Sequence, residues 1–300
     1  MVVTSKYRQT NSATLKPGIE HHTTTREIIP LGDLNPVMTL RGAIIDLDGT
    51  VYRGGELLDG TQSGLRTIRD AGLDVLFFSN NPVKDGEAYV DRLRKLGIDV
   101  SSGEACSAGT VTTEYLAENH ATDCIFCIGA DGLFEQFTNA GLELTDDPAD
   151  ADVLVASWTP AFDYADMRDA LVAADDDITF LGTDPDRTFP MENDTIVPGS
   201  GAIIGAVEAA IGKEPDRILG KPSEVALTAA MDRLDADPAE SLIVGDRLGT
   251  DLRMGERAGM TTVLVLTGVT DRSDVHDHDV RPDYVIDGLG EIESVLEDIE

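Results

Sequence analysis

Ile44-Ile-Asp46-Leu-Asp48-Gly49-Thr50 is the stretch that decides the fold. The apolar run Ala43–Leu47 reads as a buried strand, and Gly49 reads as the turn that follows it. Two carboxylates, Asp46 and Asp48, come at the strand's exit. In open parallel sheets the ligand crevice lies at the carboxyl ends of the strands, so Asp46 is expected at its mouth. An aspartate at a buried strand exit is costly unless it is paired or metal-bound. An Asx-turn accounts for one of the two aspartates easily, but for both less easily.

Outward from this stretch, short apolar runs alternate with amphipathic ones. Leu65 and Ile68 mark a helix face that stops near Gly72, and Val75–Phe78 is the next strand. Tyr89, Leu93 and Leu96 recur at helical spacing before Gly97. Ile203, Ile204, Val207 and Ile211 mark another helix. Leu242–Val244, Val263–Leu266 and Tyr284–Ile286 read as further strands. Strands alternating with helices predict βαβ units and a parallel sheet. In the middle, Ile125–Ile128, Val153–Ala156 and Ile178–Leu181 read as strands, with Leu133–Asn139 and Tyr164–Ala173 as helices. Periodicity leaves open whether these continue the first sheet or form a second, inserted α/β domain.

Two more strands run into polar groups. Val75-Leu-Phe-Phe78 leads to Ser79-Asn80-Asn81, and Leu242-Ile-Val244 leads to Gly245-Asp246-Arg247, with Asp251 five residues beyond Asp246. Each alone is explained by turn chemistry, but three such exits are harder to explain that way. Gly220-Lys221-Pro222-Ser223 sets a lysine just before a helix, with Pro222 suited to its first turn. A lone Gly-Lys-Pro is a weak signal, yet only four lysines follow Met38.

Length and charge bound the rest. At ~150 residues per domain, 300 residues make about two domains. A net charge of −33 argues against nucleic acid, which is held by basic surfaces, and against anionic membranes. No apolar run reaches the ~18 residues of a membrane span, and the N-terminus lacks the apolar segment of a secretory signal. A cytoplasmic protein is expected. The even acidity and scarce lysine fit adaptation to concentrated salt, where a Debye length of ~3 Å mutes self-repulsion. Residues 1–37 differ, with four basic and three acidic side chains and no hydrophobic period. They read as disordered, or as a mis-annotated extension with Met38 as the true start.

Several features read as packing. Cys124-Ile-Phe-Cys127 lies in an apolar run without a second cysteine pair or a histidine cluster, and Cys106 stands alone. Gly199-Ser-Gly201-Ala-Ile-Ile-Gly205 is a loosened dinucleotide fingerprint, explained by a tight turn and close helix packing. The five histidines fall in the tail or in polar stretches, and Trp158 reads as packing.

Together these stretches resemble the four motifs of the haloacid dehalogenase-like phosphohydrolases, in order. Asp46-Leu-Asp48-Gly49-Thr50 resembles the first, Ser79-Asn80-Asn81 the second, Lys221 the third, and Gly245-Asp246-Arg247-x-x-Thr250-Asp251 the fourth. Ser-Asn-Asn, Pro198-Gly-Ser-Gly201 and the long insertion are similar to the NagD/para-nitrophenyl phosphatase branch, over roughly residues 40 to 290. The resemblance implies a Rossmann-like parallel α/β core, residues 38–121 and 201–300, with an inserted α/β cap at 122–200.

It also implies roles. Asp46 would be the nucleophile, Asp48 the acid and base, and Lys221 the charge-neutralising lysine. Mg²⁺ would be held by Asp46, the Asp48 carbonyl and Asp246, with Asp251 orienting Lys221 or the metal's waters. Gly49, Ser79, Asn80, Asn81 and Lys221 would hold the phosphate. The presence of Asp48 separates the chain from the dehalogenases of the same superfamily and points to phosphate esters. Gly182-Thr-Asp184-Pro-Asp186-Arg-Thr-Phe189-Pro190 resembles the cap's recognition loop, and Asp184, Phe189 and Arg187 are expected to face the substrate. The implied activity is hydrolysis of a small phosphomonoester: a sugar phosphate, phosphoglycolate, glycerol phosphate or nucleotide. A phosphotransferase to an alcohol and a non-catalytic phosphometabolite-binding regulator are the alternatives. Caps of this branch commonly dimerise, which implies a homodimer.

Overall fold

The computed structural model describes residues 39–175, 177–190 and 195–299. The expectation for residues 1–37 lies outside them.

Six parallel strands form the main sheet, in the order Tyr284–Ile286, Thr261–Val265, Ser241–Gly245, Gly42–Ile45, Asp74–Ser79, Ala105–Ser107. The strands are near-continuous apolar runs because both faces of a parallel sheet are covered. Successive side chains point to opposite faces. Ala43, Ile45, Val75, Phe77, Leu242 and Val244 therefore enter one core, with Leu65, Ile68, Leu93 and Val295. Ile44, Leu76, Phe78 and Ile243 enter the other, with Val111, Ala226 and Ala230.

The middle of the chain builds its own parallel sheet, ordered Arg217–Ile218, Thr179–Gly182, Val153–Ala156, Cys124–Ile128, Glu143–Leu144. It is an inserted second α/β layer system, not an extension of the first sheet. Its extent corrects the expected limit at residue 200. Arg217 and Ile218 pair with Leu181 and Gly182, and helix Ser200–Ile211 sends Ile203, Ile204 and Val207 in against Leu154 and Phe180. The Gly199-Ser-Gly201 turn thus opens a helix of the cap and does not close the insertion. Added carbons on Gly199 and Gly201 would lie 2.3 Å from the Asp186 and Pro185 carbonyl oxygens, so the close approach requires glycine at both.

The two layer systems share apolar packing, with Phe78 and Leu133, Val153 and Val155 in one cluster. Cys106 and Cys127 are buried in it, Cys124 is half-buried, and the cysteines are free. Among the described residues no helix is long and apolar enough to cross a membrane.

Candidate active site

Strand register delivers the acidic cluster. Ile45 pairs with Val244 on one side and Phe77 on the other, so Asp46 leaves the sheet level with Gly245 and Phe78. Asp246 follows at once from Gly245. A five-residue π-helical turn, Leu248–Leu252, then brings Asp251 back over the strand end. Asp46, Asp246 and Asp251 each offer an oxygen, and these atoms lie within 4.8 Å of one another.

Lys221, 1% exposed, enters from the loop before helix Glu224–Leu234. Its Nζ donates to Asp46 Oδ1 at 2.7 Å, Asp251 Oδ1 at 2.5 Å and the Phe78 carbonyl at 2.6 Å. Asn80 frames the lysine's backbone, accepting from Lys221 N at 2.8 Å and donating to its carbonyl at 3.0 Å. Burial opposes the charge on Lys221, but Asp251 and Asp46 overcome it and raise the pKa. Burial likewise raises Asp46 well above the ordinary carboxylate range; Lys221 pulls it back, while Asp251 and Asp246 push it up.

The cluster's three carboxylates and one ammonium leave a formal deficit of two positive charges. Asp246 shows the consequence, because burial and then Asp251 push its carboxyl up to about 7. Its Oδ2 accepts from Val269 N at 2.6 Å, but its Oδ1 is buried without a partner. Buried polar atoms are nearly always satisfied, and hard oxygen donors suit Mg²⁺. The residues therefore fit a divalent cation. Close backbone approach protects the spot: an added carbon on Gly49, at φ +90°, would stand 2.6 Å from Asp246 Oδ2, and one on Gly268 would stand 1.9 Å from it.

A cavity of about 850 Å³ opens above the cluster. Asp46, Asp48, Gly49, Ser79, Asn80, Asn81, Asp184, Phe189, Lys221, Asp246 and Asp251 all line it. Asp48 presents its surface to this space while protein surrounds it at longer range. Desolvation raises its pKa, which Arg92 and then Lys84 oppose, and Tyr52 Oη donates to it at 3.4 Å. The Asn81 side chain is engaged in its own turn, accepting from Val83 N at 2.9 Å.

Asp184 is buried and faces inward to its own loop. It accepts from the Thr183 hydroxyl at 3.1 Å and the Asp186 amide at 3.2 Å. Burial and then neighbouring Asp186 push its carboxyl up to about 8. Arg187 is exposed and lies outside the cavity lining.

Sequence reasoning gave no lining role to five of the charged or aromatic residues that line the cavity. Trp158 is a cavity wall rather than mere cap packing, edge-on to Phe189 with centroids 5.5 Å apart. Asp186 joins cap to core: its carboxylate lies 3.6 Å from Arg247 Nη1 and accepts from Asn80 Nδ2 at 3.3 Å. Arg247 also donates to the Thr188 carbonyl at 3.3 Å. Arg53 and Arg92 line the wall beside Asp48. Arg247 and Asp186 lay within quoted motifs without a role of their own, and only pairing across distant segments gives these side chains one.

Known proteins share this architecture. A family model described as haloacid dehalogenase-like hydrolase matches residues 43–143, and one described as HAD-hydrolase-like matches 218–292. The sugar-phosphatase AraL of Bacillus subtilis is 30% identical over 257 residues, 86% of this chain and 93% of the relative. The acid sugar phosphatase of Staphylococcus aureus is 32% identical over 254 residues, 85% of this chain and 97% of that one. Among solved structures, the p-nitrophenyl phosphatase from Archaeoglobus fulgidus superposes with a TM-score of 0.79 at 34% identity, covering 86% of this chain and 99% of its own. NagD from E. coli K-12 gives 0.75 at 27% identity, covering 85% and 98%. The chain belongs to the haloacid dehalogenase-like hydrolases, in the branch of NagD and the para-nitrophenyl phosphatases.

Proposed function

We propose that the chain is a Mg²⁺-dependent phosphatase of small phosphomonoesters working through an aspartyl-phosphate. One observation carries the reading: Lys221 Nζ lies 2.7 Å from Asp46 and 2.5 Å from Asp251, at the foot of a cavity that Asp48 also lines. An Asp46 oxygen attacks phosphorus, and the bond from phosphorus to the ester oxygen breaks. Asp48, its pKa raised by desolvation, donates its proton to the leaving oxygen. It then takes a proton from water, whose oxygen attacks the same phosphorus, releases phosphate and frees Asp46. Lys221 offsets charge on the attacking carboxylate and the phosphoryl oxygens, and Asp251 orients it. Gly49, Ser79, Asn80 and Asn81 frame the phosphoryl pocket. A cation held by Asp46, Asp246 and the Asp48 carbonyl would supply electrostatic neutralisation of the phosphate.

The cap wall of Trp158 and Phe189 supports a substrate with an apolar or planar face, and the sugar phosphatases among the relatives support a phosphorylated sugar. Free cysteines fit a cytoplasmic setting. The acidic surface fits work at high salt. A homodimer through the cap is supported by Tyr164, Leu171 and Val172, exposed on helix Tyr164–Ala173. Sedimentation of the full chain tests that assembly.

Phosphate release from para-nitrophenyl phosphate in molar KCl, with and without Mg²⁺, tests the activity. Metal-dependent release is expected. Turnover enhanced by added alcohol would show transfer instead of hydrolysis, and binding without release would show a non-catalytic protein.

A further inference from the structure

Four cationic side chains line the cavity: Lys221, Arg247, Arg53 and Arg92. The first two are paired, Lys221 with Asp46 and Asp251, and Arg247 with Asp186. The other two have only backbone hydrogen-bond partners among the described residues. Arg53 Nη2 donates to the Thr267 carbonyl at 2.5 Å, and Arg92 Nη2 donates to the Gly54 carbonyl. Neither forms a salt bridge among the described residues, in a chain with 56 acidic side chains and only 23 basic ones. Ordinary solvated arginines would be free to swing, but these two are held. Arg53 is tied to the loop that carries Gly268 against Asp246, and the Arg92 guanidinium lies 4.0 Å from the centre of the Tyr52 ring. Each guanidinium keeps further N–H groups that the backbone bonds do not use.

Both sit on the same side of the site. Arg53 belongs to the short hairpin Tyr52–Arg53/Glu56–Leu57 that directly follows the Asp48 turn. Arg92 is the strongest positive influence on Asp48. In the reading above, Asp48 faces the leaving oxygen, so this wall meets the alcohol part of the substrate and not its phosphoryl group.

We propose that Arg53 and Arg92 form a second anion site for the leaving-group half of the substrate, so that the preferred phosphomonoesters carry another negative group, a carboxylate or a second phosphate. Guanidinium forks bind either group through paired, charge-assisted hydrogen bonds. The proposal rests on the phosphatase reading and sharpens it. It favours phosphorylated acids and bisphosphates over neutral sugar phosphates of the same size.

Matched substrates test it, with kcat/KM measured under one fixed salt concentration. 3-Phosphoglycerate against glycerol 1-phosphate reads the carboxylate; fructose 1,6-bisphosphate against fructose 6-phosphate reads the second phosphate. A preference of about tenfold or more for the anionic member of at least one pair is expected. Arg53→Gln and Arg92→Gln should each shrink that ratio toward one. Because Arg53 is exposed, its variant should melt like the parent. Equal efficiency within both pairs, turnover of para-nitrophenyl phosphate but of none of the four, or a ratio that survives both variants overturns the second anion site and leaves the phosphatase reading standing. A proportional loss on both members of a pair also overturns it, since that marks a merely structural arginine. No phosphate release from any ester, para-nitrophenyl phosphate included, defeats the phosphatase reading itself, and the anion site with it.

Discussion

The floor and the roof of the cavity are built on different terms. The floor is drawn from strand ends locked by parallel register, and its Asp46, Asp246, Asp251 and Lys221 are all buried. The roof is drawn from cap loops and the short strand Thr188–Pro190, and Trp158, Asp186 and Phe189 remain partly exposed there. Burying like charges is expensive and persists only where geometry over-determines it, so the floor has little freedom to vary. The roof holds its place through a few polar contacts and one aromatic pair, which substitutions can reshape. The floor's geometry is thus tightly constrained, while the cap side of the cavity has more room to vary.

If that contrast holds, damage to the floor should cost far more than damage to the roof. Asp46→Asn is expected to lower kcat by about a thousandfold or more, with an unchanged far-ultraviolet spectrum. Near-normal turnover would remove Asp46 as nucleophile. Chelation with EDTA should abolish activity, and Mg²⁺ should restore it. Asp246→Asn should raise the Mg²⁺ concentration needed for half-maximal rate by about tenfold or more. At the seam between the two regions, Asp186→Ala leaves Arg247 unpaired. The expected loss in kcat/KM is roughly tenfold, and Asp186→Asn should recover the part owed to Asn80. In the roof, Trp158→Ala should raise KM by about threefold to tenfold and leave kcat nearly intact, as loss of one aromatic pair suggests.

A separate effect concerns stability and leaves the chemistry untouched. Asp184 has a folded pKa near 8, above its ordinary 3.8, so the folded chain holds its proton more tightly than the unfolded chain. That contribution is complete below pH ~4 and is lost as pH rises through about 8. Melting curves of Asp184→Asn and the parent should therefore shift in the variant's favour between pH 5 and pH 9. A constant difference across that range would mean the carboxyl does not titrate there.

The same division governs what could be read from the sequence. Strand Val153–Ala156 was legible as a continuous apolar run because it is buried on both faces, and helix Ser200–Ile211 because Ile203, Ile204 and Val207 pack on one face. The floor residues were legible because each follows an apolar strand or a glycine turn, where a charged side chain needs a reason to be. Strand Ala105–Ser107 was missed, being a three-residue edge with no run of its own. The cap boundary was placed too early, because Arg217–Ile218 is two residues long and is recognisable only by its pairing with Leu181 and Gly182. Arg53 and Arg92 look in sequence like ordinary surface charges, and the motifs that hold Asp186 and Arg247 gave those two no role of their own. Only the fold brings Asp186 to Asn80 across 106 residues and Arg53 to Thr267 across 214.

The Asp186 carboxylate limits how this protein can diversify. Its partners, Asn80 and Arg247, stand at the strand ends that carry the acidic cluster, and Asn80 also grips the backbone of Lys221. A recognition loop grafted from another relative would have to supply an acidic group at the same point, or the graft would slacken the lysine it sits above. The exposed Arg187 beside it carries no such tie, while Asp186 acts as the mounting bolt.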